Sequence, residues 1–171
     1  MLKQTAQTTR RKRAHQLEVE RTVASLRTAR AKMMALRFTR TYAGQTFTRL
    51  GEDSDKAFRR LWFELRDIGA RFKKKLDEKS PGLCLAEFPG PPEVFDLTEA
   101  GEFQRRAFEV FSAFDFALVH MESAWLHQAV PYGEHASCIT NCEGRIYETL
   151  RRVARRCAVQ IPVKETGRGV F

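Results

Sequence analysis

Between Phe103 and Ala129 an apolar side chain recurs every three or four positions for more than seven turns: Phe103, Ala107, Val110, Phe111, Phe114, Leu118, Met121, Trp125 and Ala129. That period is helical. Phe108, Phe116, Val119 and Leu126 fall off the stripe, so the helix is apolar on more than one side. Such a helix must lie at the centre of its fold or be covered by a partner.

The rest of the chain supplies elements to surround it. From about Ser54 to Lys79, Ala57, Phe58, Leu61, Trp62, Leu65, Ile68, Phe72 and Leu76 mark one face of an amphipathic helix whose other side is charged. Asp53 or Ser54 suits its N-cap, and Ser80-Pro81-Gly82 ends it. The central helix opens near Asp96 or Thr98, where Asp96 and Glu99 have capping-box spacing, and Pro131 closes it. A further helix over about 137–157 turns Ile139, Ile146, Leu150, Val153 and Cys157 inward. The first helix is read over about 14–43, with Val19, Val23 and Leu26 on one face and Gly44 at its end. Residues 36–42 also alternate in a way that suits a short strand. The stretch 81–97 holds Pro81, Pro89, Pro91 and Pro92 and reads as a long connector, with 83–86 as a possible strand. The expected fold is all-α, a four-helix up-and-down bundle with a Pro-rich connector between its second and third helices. A basic flexible tail over 1–13, a helical domain over 14–163 and a tail over 164–171 complete the expected organisation.

Charge is segregated along the 171 residues. Residues 1–50 carry twelve lysines and arginines against Glu18 and Glu20, a net +10 within a chain of net +9. Residues 80–148 are acidic and residues 149–171 basic again. Lys and Arg neutralise phosphates and release counterions, and Arg grips phosphate through two parallel bonds. The candidate polyanion-binding residues are therefore Arg10, Arg11, Lys12, Arg13, Arg21, Arg27, Arg30, Lys32, Arg37 and Arg40. A second stripe adds Arg145, Arg152, Arg155 and Arg156. The two sets form one surface if the first and fourth helices are neighbours. Phe38 and Tyr42 are the aromatics nearest these cations, and their spacing suits core packing better than base stacking.

No apolar stretch approaches the length that spans a bilayer, and no apolar segment follows the basic start as in a secretory signal. Cys84, Cys138, Cys142 and Cys157 are accordingly expected as reduced thiols in a cytoplasmic setting. His135, Cys138 and Cys142, with Cys157, His127 or Cys84 as a fourth ligand, offer a zinc alternative, but a buried thiol is the default for Cys. His120 and His127 lack the Glu-x-x-His spacing of di-metal bundles. Nucleophile elbows, phosphate loops and zincin motifs are absent, so no catalytic residue, metal or cofactor is assigned.

The segments FDFALVHMES and NCEGRIYETLRRVARRCAVQIPVKETGRG resemble the middle of RuvC-like resolvases. That resemblance implies an RNase H fold with Glu122 at a strand end, Gly144 early in the next helix and Asp67 before Gly69 as a first acid. Asp67 falls within the amphipathic helix, and the C-terminal acids of that family have no counterpart before Phe171. The expected function is a non-catalytic, sequence-independent nucleic-acid-binding subunit of a nucleoprotein complex, with RNA or DNA backbone as ligand. A helical adaptor, self-associating or docking a protein through the apolar faces of the central helix, is the alternative.

Overall fold

In a computed structural model, residues 22–82 and 85–159 are described. They form strand β1 (Val23–Leu26), helix α1 (Ala29–Thr41), helix α2 (Glu52–Lys79), strand β2 (Glu93–Asp96), helix α3 (Glu102–Leu126) and helix α4 (Tyr132–Cys157). The all-α, four-helix expectation holds, with one two-stranded sheet added to the bundle. Residues 1–21, 83, 84 and 160–171 lie outside the described residues. The tails over 1–13 and 164–171, both ends of the 14–163 domain and half of the possible 83–86 strand fall there.

α3 is the axis. It buries Phe103, Phe108, Val110, Phe111, Phe114, Leu118, Val119 and Met121 on all of its sides, and it touches β1, α1, α2 and α4. At about 1.5–3 kcal/mol per fully buried large apolar side chain, this one helix anchors most of the core. Of the two alternatives for this helix the structure takes the first, a central position, so Phe108, Phe116 and Val119 are covered within the fold rather than left for a partner: β1, β2 and α1 cover one side, α2 another. Phe116 lies under the Arg66 guanidinium, 3.9 Å from the ring centroid, and of the four off-stripe residues only Leu126, 57% accessible, is exposed.

The chain reverses between α1 and α2 and again between α3 and α4. The up-and-down order expected from sequence is not kept across the connector, because α2 and α3 run parallel: Asp55 meets Arg106 near their starts, Arg66 covers Phe116 further along, and Lys79 reaches the Gln128 carbonyl at the far end. The Pro-rich connector carries the chain back along the bundle between them, and β2 is formed within it. Near the middle of this seam Gly69 faces α3 so closely that a Cβ there would stand 2.6 Å from the Phe116 ring and 3.1 Å from the Ala117 Cα. A larger residue would push the two helices apart.

The single first helix expected over 14–43 is replaced, in its described part, by β1 and α1. Val-Ala-Ser-Leu buries Ala24 and Leu26 and exposes Val23 and Ser25, the period of a strand, and pairs antiparallel with β2, Val23 opposite Asp96 and Leu26 opposite Glu93. The break that follows has a remote cause. Asp115, 4% accessible in the middle of α3, accepts hydrogen bonds from the Arg27 and Thr28 backbone N–H groups, at 3.1 and 2.7 Å, and from the Thr28 hydroxyl at 2.7 Å. Thr28 is the N-cap of α1, with its hydroxyl oxygen also accepting from Ala31 N–H. A buried carboxylate therefore sits at the positive end of the α1 dipole. Residues 36–41 continue α1 as helix, with Tyr42 as its C-cap, rather than forming a strand, because Ala31, Met34, Ala35 and Phe38 share its buried face.

The other boundaries shift for local reasons. α2 starts at Glu52 with Gly51 as N-cap, placing Glu52, Asp53 and Asp55 in its first turn. The Asp96 carboxylate accepts from the backbone and hydroxyl of Thr98, an Asx turn that consumes the expected capping residue; α3 begins only after Gly101. α4 begins directly after Pro131, earlier than the apolar pattern marks.

Gly69→Val will lower stability by about 1–3 kcal/mol through overpacking. Gly144→Ala, where a Cβ meets open space on α4, will raise it by up to about 1 kcal/mol. Urea midpoints check both. Asp115→Ala will cost about 2–4 kcal/mol, because buried N–H donors lose their acceptor, and Asp115→Asn, which keeps an acceptor oxygen, will cost less in the same assay.

Candidate nucleic-acid interface

α1 and α4 are neighbours at the surface, as a joint basic face requires. The Arg30 guanidinium lies 3.0 Å from Glu143, and Arg37 donates to the Tyr147 hydroxyl at 3.3 Å. The contact that joins the two helices also uses their charges. Arg27 stands 4.0 Å from Asp115, the Lys32 ammonium donates to the Pro91 carbonyl, and Arg145 is paired with Glu64 across to α2. These residues hold elements together, and exposed pairs of this kind contribute about 0.2–1 kcal/mol each.

A different subset is free. Arg40 closes α1, Arg49 lies in the following loop, and Arg151, Arg152, Arg155 and Arg156 occupy the last two turns of α4. None of the six has a carboxylate within ion-pair distance among the described residues. They gather at one end of the bundle because loop and helix end are tied there: Thr48 N–H donates to the Cys157 carbonyl at 2.8 Å, Val159 N–H to the Thr46 carbonyl at 3.0 Å, and Phe47 bridges to Ala158. Part of their role is local, since cations in a last turn offset the negative end of the helix dipole.

Tyr42 reports the field at this end. Burial raises its phenol above the ordinary value, while the positive charges of Arg151 and Arg155 pull it back down. The aromatics here are otherwise spent on the core. Phe38 is buried and sits 5.0 Å from Tyr42 and 5.5 Å from Phe103, and Phe47 lies 4.3 Å from Phe103. Phe38 and Tyr42 thus serve core packing, as their spacing predicts.

From this end an open groove of about 520 Å³ runs between α2 and α4. Lys56, Arg60, Arg145, Arg152 and Arg156 line it together with Asp53, Glu64 and Glu148. Glu64 engages both Arg60 and Arg145, while Asp53 and Glu148 share the groove with Arg152 and Arg156. Arg10, Arg11, Lys12, Arg13 and Arg21 lie outside the described residues. Arg49 and Arg151 were missed from sequence. Arg151 falls four residues before Arg155 and so on its face, a signal that was present; Arg49 joins the group only through the pairing of its loop with the end of α4.

Among the described residues the candidate zinc and di-metal ligands do not converge, and Cys84 lies outside them. The His135 ring stacks on Trp125 at 5.0 Å, with Nε2 3.3 Å from Glu122 but not hydrogen-bonded. Cys157 is at the opposite end of α4 from Cys138, and no group of three or more potential ligands converges among the described residues. The fold implied by the resolvase resemblance is also corrected: FDFALVHMES is the body of α3 rather than a strand, Glu122 lies within that helix, Gly144 lies in α4, and Asp67 is on the surface of α2, paired with Arg71 at 3.2 Å. Among the described residues no helix is long and apolar enough to cross a membrane. No protein-family model, curated protein or solved structure matches this chain.

His120 gives a pH dependence. It is buried beside Phe116, its Nδ1 has no partner, and burial, reinforced by Lys73, lowers its pKa. As pH falls through the ordinary imidazole value of about 6.5, the unfolded chain takes up the proton first. Stability will therefore fall on acidification from neutral pH, and His120→Gln will flatten that part of the slope in urea titrations at a series of pH values.

Proposed function

We propose that this protein is a non-catalytic binder of nucleic-acid phosphate backbone, acting as an accessory subunit of a nucleoprotein complex. The observation that carries this reading is the group of six arginines at one end of the bundle, Arg40, Arg49, Arg151, Arg152, Arg155 and Arg156, without carboxylate partners among the described residues. Uncompensated guanidinium groups held on helix ends and a pinned loop are pre-placed for phosphate oxygens. The basic segment before Thr22, with Arg10 to Arg13 and Arg21, would extend the contact along the strand. The aromatics at this end are packed into the core, which favours contacts that position a backbone without reading bases. RNA and DNA satisfy this chemistry equally.

A protein-docking role has one observation in its favour. At the far end of the bundle Trp125, Leu126 and Tyr132 expose apolar surface around the turn between α3 and α4, Tyr132 at 67%. It is compatible with backbone binding at the arginine end.

The deciding measurement is fluorescence anisotropy of labelled RNA and DNA over a salt series. Affinity will fall steeply with salt, with a slope of roughly 0.9 per phosphate contacted on a logarithmic scale. Replacing Arg151, Arg152, Arg155 and Arg156 by Ala will reduce that slope by about 2–3.6, up to about 0.9 for each phosphate contact removed. Replacing Arg30 and Arg37, which are engaged with Glu143 and Tyr147, will change it little. Affinity indifferent to salt would overturn the reading.

A further inference from the structure

Cys138 and Cys142 stand one turn apart on the side of α4 that meets α2, and the proposed phosphate contacts use neither. Cys142 is buried, whereas Cys138 is half-buried. From α2 the positive charges of Arg71 and Lys75 act on Cys138, and Arg71 acts on Cys142 as well, together with Arg145 of α4 itself. Lys75 also pairs with Glu134, which lies one turn before Cys138 on α4, and Arg71 pairs with Asp67. A thiol that is partly accessible, set beside a second thiol and facing two cations, is the environment of a reactive cysteine rather than of a packing residue. Cys157, by contrast, is buried at the end of α4, where the Thr48 N–H bonds its carbonyl.

The chemistry at sulfur agrees. The Cys142 thiol donates a hydrogen bond to Cys138, which favours the Cys138 thiolate; burial opposes it, Arg71 and Lys75 favour it and Glu134 opposes it, and the balance lowers Cys138 to about 7. The same bond, with burial, pushes the Cys142 thiol upward, so that Cys142 stays protonated and remains the donor.

We propose that Cys138 is a nucleophilic modification site that takes anionic disulfides. In the step, the Cys138 thiolate attacks one sulfur of R–S–S–R, the Cys138–S–S–R bond forms as the S–S bond of the reagent breaks, and R–S⁻ leaves with the electron pair. Arg71 and Lys75 select a negatively charged R. Cys142 does not resolve the product into an internal disulfide. Residues four apart on a helix hold their Cβ atoms about 5–6 Å apart, whereas a disulfide needs about 3.5–4.5 Å. The mixed disulfide is therefore the stable end point, and it places an anionic group at the α2–α4 seam.

The test uses the full chain, with dithiobis(nitrobenzoate) as an anionic probe and dithiodipyridine as a neutral one. Each rate is referred to that of the urea-unfolded chain, and the modified cysteine is mapped by peptide mass. One fast phase at neutral pH is expected, located at Cys138 and roughly 3–10-fold faster than in the unfolded chain with the anionic probe, since extra thiolate is partly offset by its weaker nucleophilicity. Cys138→Ser will abolish that phase, and Cys142→Ala will move its pH profile upward. Arg71→Gln with Lys75→Gln, both at exposed positions that leave the core intact, will remove the preference for the anionic probe. A fast phase at Cys84 or Cys157, no acceleration over the unfolded chain, or a probe preference unchanged by the charge variants would overturn the proposal. None of these results depends on whether the arginine end binds nucleic acid.

Discussion

A single buried carboxylate decides how the N-terminal part of the described chain is arranged. Asp115 lies in the middle of the most hydrophobic helix of the protein, where an unpaired charge would be prohibitively expensive. It is satisfied only if backbone N–H groups reach it, and Arg27 and Thr28 provide them. Those two residues must leave helical geometry to do so. The chain therefore turns at this point, a strand precedes the turn, and a new helix starts with its positive end against the carboxylate. The position of α1, and with it the approach of Arg30 and Arg37 to α4, follows from that bond set.

What was legible from sequence was whatever periodicity controls. α4 buries the residues its three-and-four spacing selects; α2 buries Phe58, Leu61, Leu65, Phe72 and Leu76 of its stripe and leaves Ala57, Trp62 and Ile68 half-buried; and α3 buries residues off its main stripe as well because it is central. What was not legible depended on pairs distant in sequence. Nothing local to Val23–Leu26 announces a strand, because its partner lies in the connector, and nothing local to Thr28 announces a helix start strong enough to interrupt a run of good helix formers. Asp96 and Glu99 have the spacing of a capping box, yet the nearer Thr98 hydroxyl and N–H capture the carboxylate first.

The candidate interface divides along the same line. Sequence marks every cation and cannot tell an arginine with an acid across the bundle from one without. Arg30, Arg37 and Arg145 carry the same formal charge as Arg152 and Arg156, but Glu143, Tyr147 and Glu64 hold the first three. The free set becomes visible only when the loop around Thr48 is seen tied to the end of α4.

The parallel course of α2 and α3 has a consequence for how the chain reaches its native state. Their interface is the most extensive between any two helices, yet no short turn can join two helices that point the same way. The connector must run back along α2, about 40 Å for 28 residues, which takes at least about 12 residues even fully extended. It can be lengthened at little entropic cost, but it cannot be shortened below that span without breaking the seam. The largest block of native contacts thus waits on closure of a long segment, while α3 and α4, joined by a tight turn around Gln128 to Pro131, can dock as a hairpin first.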